Sequence, residues 1–246
     1  MKRIAIALGL MMATMTASSA SELKLIAGGS LAPLFKELSP QFEKASGHTL
    51  SIHFDSTPNI ITRINAGTAF DAVVVPIDVF KDAAAKNHLA EPTVNIARVG
   101  YGVIVRAGAP KPDLSTPDAF KKALLAASSV SSTPSSAAGA YIAKVYDRLG
   151  IADQMKAKTK AEALPTAIAP AVARGEAELG IFLTNVFNAP GIELAGPFPA
   201  ELQQELIFPA AVAAEAKEPA AAKALIDFLK TPAAIAAIKA AGMTPG

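Results

Sequence analysis

The residues of this chain whose types and spacing could do chemistry are hydroxyls and glycines set where strands run into helices. Leu23 to Glu37 reads LKLIAGGSLAPLFKE, a short apolar strand that meets Gly28-Gly29-Ser30 and then a helix. The first N–H groups of a helix have no intrahelical partner, and the aligned peptide dipoles place roughly half a positive charge there. Such a junction suits a small anion, and Ser30 is expected to cap the helix while offering a hydroxyl donor. The pattern recurs. HTLSIHF breaks at Asp55-Ser56-Thr57-Pro58 before a helix over 59–66, with Ser56 or Thr57 as cap and Pro58 suited to the first turn. A strand over 128–133 ends at Pro134-Ser135-Ser136 before an amphipathic helix, Ala137 to Leu149, closed by Gly150. A strand over 177–183 leads to Thr184-Asn185, a fourth polar tip. Each serine alone reads as an ordinary N-cap. As a set, Gly29, Ser30, Ser56 or Thr57, and Ser135 or Ser136 offer an anion neutral donors from several elements, so no conspicuous cation is needed.

Other chemistries lack their residues. The chain has no cysteine, which removes disulfides, thiolate metal sites and thiol nucleophiles. His48, His53 and His88 lie apart without ligand spacing, so neither a metal nor a Ser-His-Asp hydrolase is expected. There is no Walker loop and no G-x-G-x-x-G, and no cofactor is expected. Met1 to Ala20 carries Lys2 and Arg3, an apolar core over 4–12 and Ser18-Ser19-Ala20, which reads as a secretory signal cut after Ala20. Its apolar run falls well short of the roughly 20 residues that cross a bilayer. Without Lys2 and Arg3 the chain has 21 basic and 21 acidic residues. A neutral surface without a basic run argues against nucleic acid.

The elements that must position these turns alternate. FDAVVV, over 70–75, is a continuous apolar run of the buried-parallel kind, with a helix expected over 79–86. Strands alternating with helices imply βαβ units and a mostly parallel sheet, with ligands gathered outside the carboxyl ends of the strands. ARVGYGVIVR, over 97–106, and ELIFPAAV, over 205–212, read as two crossover strands. A helix is expected over 164–174, and two Ala-rich helices over 219–230 and 232–241 end at Gly242. The expected division is a signal at 1–20, a first lobe over 21–100 and 206–246, and a second lobe over 101–205.

The opening IAGGSLAPLFKELSPQFEKASG, the block FDSTPNIITRINAG, the strand FDAVVV, GEAELGI and the closing ALIDFLKTPAAIAAIKAAGM resemble the periplasmic molybdate-binding proteins of ABC importers. The resemblance covers almost the whole chain after the signal and implies the type II fold, two α/β lobes with a ligand cleft between them. It implies that hydroxyls and backbone N–H groups from both lobes hold an oxyanion, with Ser30 and Ser56 or Thr57 from the first lobe and N–H donors near Ala137 from the second. The family usually has a tyrosine donor after the Gly-Ile of the GEAELGI strand. Here Phe182-Leu183-Thr184 stands there, and Thr184 or Asn185 is the expected substitute. GAPKPDLSTPDAFKKAL, VARGEAELGI and APGIELAGPFPAELQ are similar to a branch that includes the periplasmic aconitate isomerase. That branch implies a base beside a polycarboxylate. No base is assigned, Asp55 is the only carboxylate at the serine-bearing turns, and Arg63 and Arg98 are candidate cations. The expected function is a monomeric periplasmic receptor that binds a molybdate-like oxyanion and hands it to an ABC permease. An aconitate isomerase-like enzyme or a tricarboxylate receptor is the alternative.

Overall fold

The computed structural model describes residues 20–246, and the signal read over 1–20 lies outside these apart from Ala20. In chain order the elements are β1 (Glu22–Gly28), α1 (Ala32–Ser46), β2 (Thr49–Asp55), α2 (Thr57–Asn65), β3 (Ala72–Val74), α3 (Ala83–Lys86) and β4 (Val94–Arg106). There follow α4 (Pro117–Ala126), β5 (Val130–Ser132), α5 (Ala137–Leu149), α6 (Ala152–Lys158), β6 (Thr159–Ala161), α7 (Ile168–Ala173) and β7 (Leu179–Leu183). The chain ends with β8 (Ile192–Pro197), β9 (Glu205–Val212), α8 (Pro219–Phe228), α9 (Pro232–Ala240) and β10 (Thr244–Pro245).

The strands form one hydrogen-bonded path, β2-β1-β3-β9-β4-β7-β5-β6, with β8 and β10 also on β4. At its two ends the pairing is parallel, as βαβ units require: β1 with β2 and β3, and β5 with β6 and β7. Through the middle it is antiparallel, because β4 and β9 are the crossovers. β4 changes partners along its length. Val94 to Gly100 pairs with β9, whereas Tyr101 onward pairs with β7 and Gly102 onward with β8. Each end of the sheet with its helices is one lobe of a two-lobed α/β fold.

Alternation along β1 supplies two cores. Leu23, Leu25 and Ala27 pack into the large core with Phe35, Phe42 and Leu225, while Ile26 joins Ile60, Ile64, Val73 and Val79 on the other face. In the second lobe β7 is buried at every residue, consistent with a strand covered on both faces.

Several expected elements differ in detail. The helix read over 79–86 is a 3-10 turn, Ile77–Lys81, followed by α3, because Asp82 is extended and accepts the Ala85 N–H at 2.8 Å. Pro165 holds the 164–174 segment in a 3-10 turn, Pro165–Ala167, before α7. Residues 191–204, for which the sequence pattern predicts no strand or helix, contain β8. Ser30 does not cap α1. Gly29–Leu31 form a 3-10 turn, so α1 starts at Ala32 with Leu31 as an N-cap that makes no side-chain bond.

Candidate functional site

The first three strand-to-helix turns converge. Gly28, Gly29 and Ser30 after β1, Asp55, Ser56 and Thr57 after β2, and Ser136, Ala137 and Ala138 at the start of α5 line one cavity with Pro76, Pro165, Phe182, Leu183 and Leu206. The parallel register explains part of this, since Gly28 is level with Asp55 and both strands end at the same height. The cavity offers about 20 Å³ to the centre of a water molecule, a little above the roughly 10–15 Å³ that one ordered water needs. It suits a compact group.

The hydroxyls have different commitments. Ser136 is the N-cap of α5: its Oγ accepts the Gly139 N–H at 2.9 Å and donates to the Thr133 carbonyl at 2.8 Å. Ser56 occupies the N-cap position of α2 without a side-chain capping bond. Among the described residues neither the Ser30 nor the Ser56 hydroxyl has a hydrogen-bond partner, although Ser30 is only 5 % exposed. Thr57 Oγ1 accepts the Ala137 N–H at 3.2 Å, a bond that joins the two lobes, and its own hydrogen remains to donate.

Gly29, Ser30, Ser56, Thr57, Ser136 and Ala137 therefore line a common cavity, and Ser135, Thr184 and Asn185 do not. Ser135 is exposed beside it. Thr184 Oγ1 donates to the Gly100 carbonyl at 3.4 Å. Asn185, 4 % exposed, donates from Nδ2 to the Ser30 carbonyl at 2.7 Å. The wall just before Thr184 is formed by Phe182 and Leu183 and is apolar.

Asp55 is the carboxylate at the cavity. Its Oδ1 accepts the Ser56 N–H at 2.7 Å and Asn59 Nδ2 at 2.8 Å, and its Oδ2 lies 3.3 Å from His53 Nε2. Burial pushes its pKa up, but the bonds from Asn59, Ser56 and His53 outweigh that and hold it below the usual 3.8. Arg63 and Arg98 line neither this cavity nor the groove beside it, and Arg98 sits 3.6 Å from Glu205 at the surface.

Thr57, Ser136, Ala137 and Leu206 also border an open groove of about 830 Å³. It carries Lys81, Lys144, Tyr101 and Tyr141, residues that the reading of the turns missed. A signal was present, since Ala137, Ala140, Tyr141 and Lys144 have i, i+3, i+4, i+7 spacing and share a face of α5.

A match to the family described as bacterial extracellular solute-binding protein spans residues 23–244. An aconitate isomerase from a Pseudomonas species is 30 % identical over 240 residues, covering 94 % of this chain and 90 % of that protein. The molybdate-binding protein ModA of Azotobacter vinelandii is 27 % identical over 248 residues, covering 98 % and 97 %. A solved periplasmic molybdate-binding protein from Azotobacter vinelandii superposes with a TM-score of 0.74 at 21 % identity, covering 90 % of this chain and 98 % of that one.

Proposed function

The chain belongs to the family of bacterial extracellular solute-binding proteins, and from that premise we propose that it is a periplasmic receptor for a small oxyanion, serving an ABC importer. In this reading the lobes are residues 21–100 with 206–246, and residues 101–205, and they close on the ligand by bending at β4 and before β9. Ser30, Ser56 and Thr57 present hydroxyls from the first lobe, and the second presents the Ala138 N–H, since in the first turn of α5 the Ala137, Gly139 and Ala140 N–H groups are committed to Thr57 Oγ1, Ser136 Oγ and the Ser136 carbonyl. Export by a signal at 1–20 and action as a monomer complete the proposal. The observation that carries it is the pair of uncommitted hydroxyls, Ser30 and Ser56, meeting the α5 N-terminus at a cavity of about 20 Å³. Neutral donors held in place before binding suit an ion that must lose its water, because they need no reordering when it arrives.

A second reading is favoured by the groove. A polycarboxylate with one carboxylate in the cavity would lay the rest of its body across Tyr101 and Tyr141 toward Lys144, Lys81 being paired with Asp78 at 3.1 Å and Glu205 lining the same groove, and the 30 % identity to an aconitate isomerase agrees with that ligand class. An isomerase would also need a proton acceptor, for which Asp55 is the carboxylate at hand.

The test is a melting screen of residues 21–246 with molybdate, tungstate, sulfate, phosphate, citrate, and cis- and trans-aconitate. A ligand at about 100 times its Kd adds about 2.7 kcal/mol, and each kcal/mol moves a chain of this size by about 2–4 °C. A shift with molybdate and tungstate is expected, and one confined to the aconitates would replace the first reading with the second. Ser30→Ala should weaken binding of the responding ligand by about 1 kcal/mol or more, through loss of a buried donor, with unchanged circular dichroism. Unchanged affinity would remove Ser30 from the site.

A further inference from the structure

We propose that Asn185 is the latch of the closed protein: a positioning residue that holds Ser30 in place across the cleft without touching the ligand. The inference rests on the oxyanion site proposed above. Asn185 lies in the short turn Thr184–Val186 that follows β7 in the second lobe, and Ser30 lies in the turn that follows β1 in the first. The bond between them, 2.7 Å from Nδ2 to the Ser30 carbonyl, joins residues 155 positions apart and is buried at both ends. It fixes the backbone of a residue that lines the cavity and whose hydroxyl has no partner among the described residues.

Two further observations give the contact direction. Asn185 Oδ1 is buried with no hydrogen-bond partner among the described residues. A reversed amide would set that oxygen against the Ser30 carbonyl, so only one orientation closes the lobes. An unpaired buried acceptor regains water when the lobes part, so the bond makes the closed arrangement specific without making it permanent. Asn185 is also absent from the cavity wall, where Phe182 and Leu183 stand instead. The second lobe thus contributes an apolar wall at this place and acts on the anion through Ser30.

The latch should govern release more than capture, because a ligand enters the open form and leaves when the closed form opens. Asn185→Asp keeps the shape and replaces the donor with an acceptor. Stopped-flow measurement with whichever anion the wild type binds should show dissociation faster by about tenfold and association within about twofold. The penalty should shrink when the same change is made in Ser30→Ala, since the latch acts through that residue. Small-angle scattering should show a larger radius of gyration for the variant than for the wild type. Where the new carboxylate impairs folding, Asn185→Leu removes the donor without adding charge and should move both readouts the same way by less. Unchanged dissociation, or a penalty that adds fully to that of Ser30→Ala, would overturn the latch. A wild type that binds no anion of the panel would sink the oxyanion reading instead, and the scattering comparison would still decide the latch.

Discussion

Asp55 places a negative charge beside a cavity that also holds the uncommitted Ser30 and Ser56 hydroxyls, and its own hydrogen bonds explain how it stays there. Burial alone would raise its pKa, but Asn59 Nδ2, the Ser56 N–H and His53 favour the carboxylate and the balance is downward from 3.8. A depressed folded pKa adds stability above the unfolded value and loses it as pH falls through the lower folded value. Asp55 therefore stays charged at neutral and mildly acid pH, and its contribution disappears only below about 3.8. A fixed carboxylate repels an incoming anion, though its partial exposure and salt screen the effect. Asp55→Asn retains an acceptor for Ser56 and Asn59, and calorimetry should find oxyanion binding tighter by up to about 1 kcal/mol, less at high salt. The polycarboxylate-isomerase reading makes the opposite forecast, because a base that becomes an amide cannot take a proton. Retained turnover of cis-aconitate in Asp55→Asn would remove Asp55 from that role.

At the scale of elements, α5 carries the second lobe's share of the site, and its first turn is held by close backbone packing. A Cβ on Gly139 would come within 2.2 Å of the Thr133 carbonyl oxygen and 2.5 Å of the Pro134 one. Gly139→Ala gains about 1 kcal/mol of helix propensity, yet no flexible side chain is available to yield, and overpacking costs about 1–3 kcal/mol. The steric effect should win. A lower melting midpoint and weaker anion binding are expected together, since the Ala137 N–H that holds Thr57 moves with the turn; an unchanged midpoint would mean that the turn adapts freely. The limits of α5 were legible in the sequence because both ends carry chemical signals: Ser136 caps one and Gly150, with φ of 68°, ends the other. The three converging turns were legible for the same reason. What the local pattern hid were features set by packing between distant segments. β8 was hidden by Gly191 and Pro197, which punctuate it like a loop, although its edge pairs with β4. The roles of Thr184 and Asn185 were hidden because a polar tip shows that it has donors, not which carbonyl it will meet. Ser30 resembles a cap in sequence because a 3-10 turn and a helix start share one local signature.

For the whole molecule, the point where β4 changes partner from β9 to β8 is occupied by Gln203. On one edge of β4, Gly100 pairs with Glu205 of β9 and Gly102 with Pro197 of β8, which leaves Tyr101 between two partners. Gln203 fills that gap. Its Oε1 accepts the Tyr101 N–H at 2.8 Å and its Nε2 donates to the Tyr101 carbonyl at 2.9 Å, so a side-chain amide replaces one residue of strand. The same segment is tied to α5, since Tyr141 Oη donates to the Leu202 carbonyl and Arg148 Nη1 to the Glu201 carbonyl, each at 2.8 Å. In the proposed receptor, with its boundary near residue 100, these bonds would leave bending to the chain on either side, around Gly100 and Gln204. Gln203→Met keeps the length and removes both polar atoms. The Phe198 N–H still serves the Tyr101 carbonyl at 3.1 Å, but the Tyr101 N–H loses its acceptor. A buried donor left unpaired costs about 1–3 kcal/mol, which at about 2–4 °C per kcal/mol lowers the melting midpoint by several degrees. Because the lost bonds sit at the crossover, hydrogen exchange should quicken at Gly100 to Gly102 while the interior of β1 and β7 stays protected. Exchange that rises evenly over both lobes would mean that Gln203 supports the fold at large and does not locate the bend.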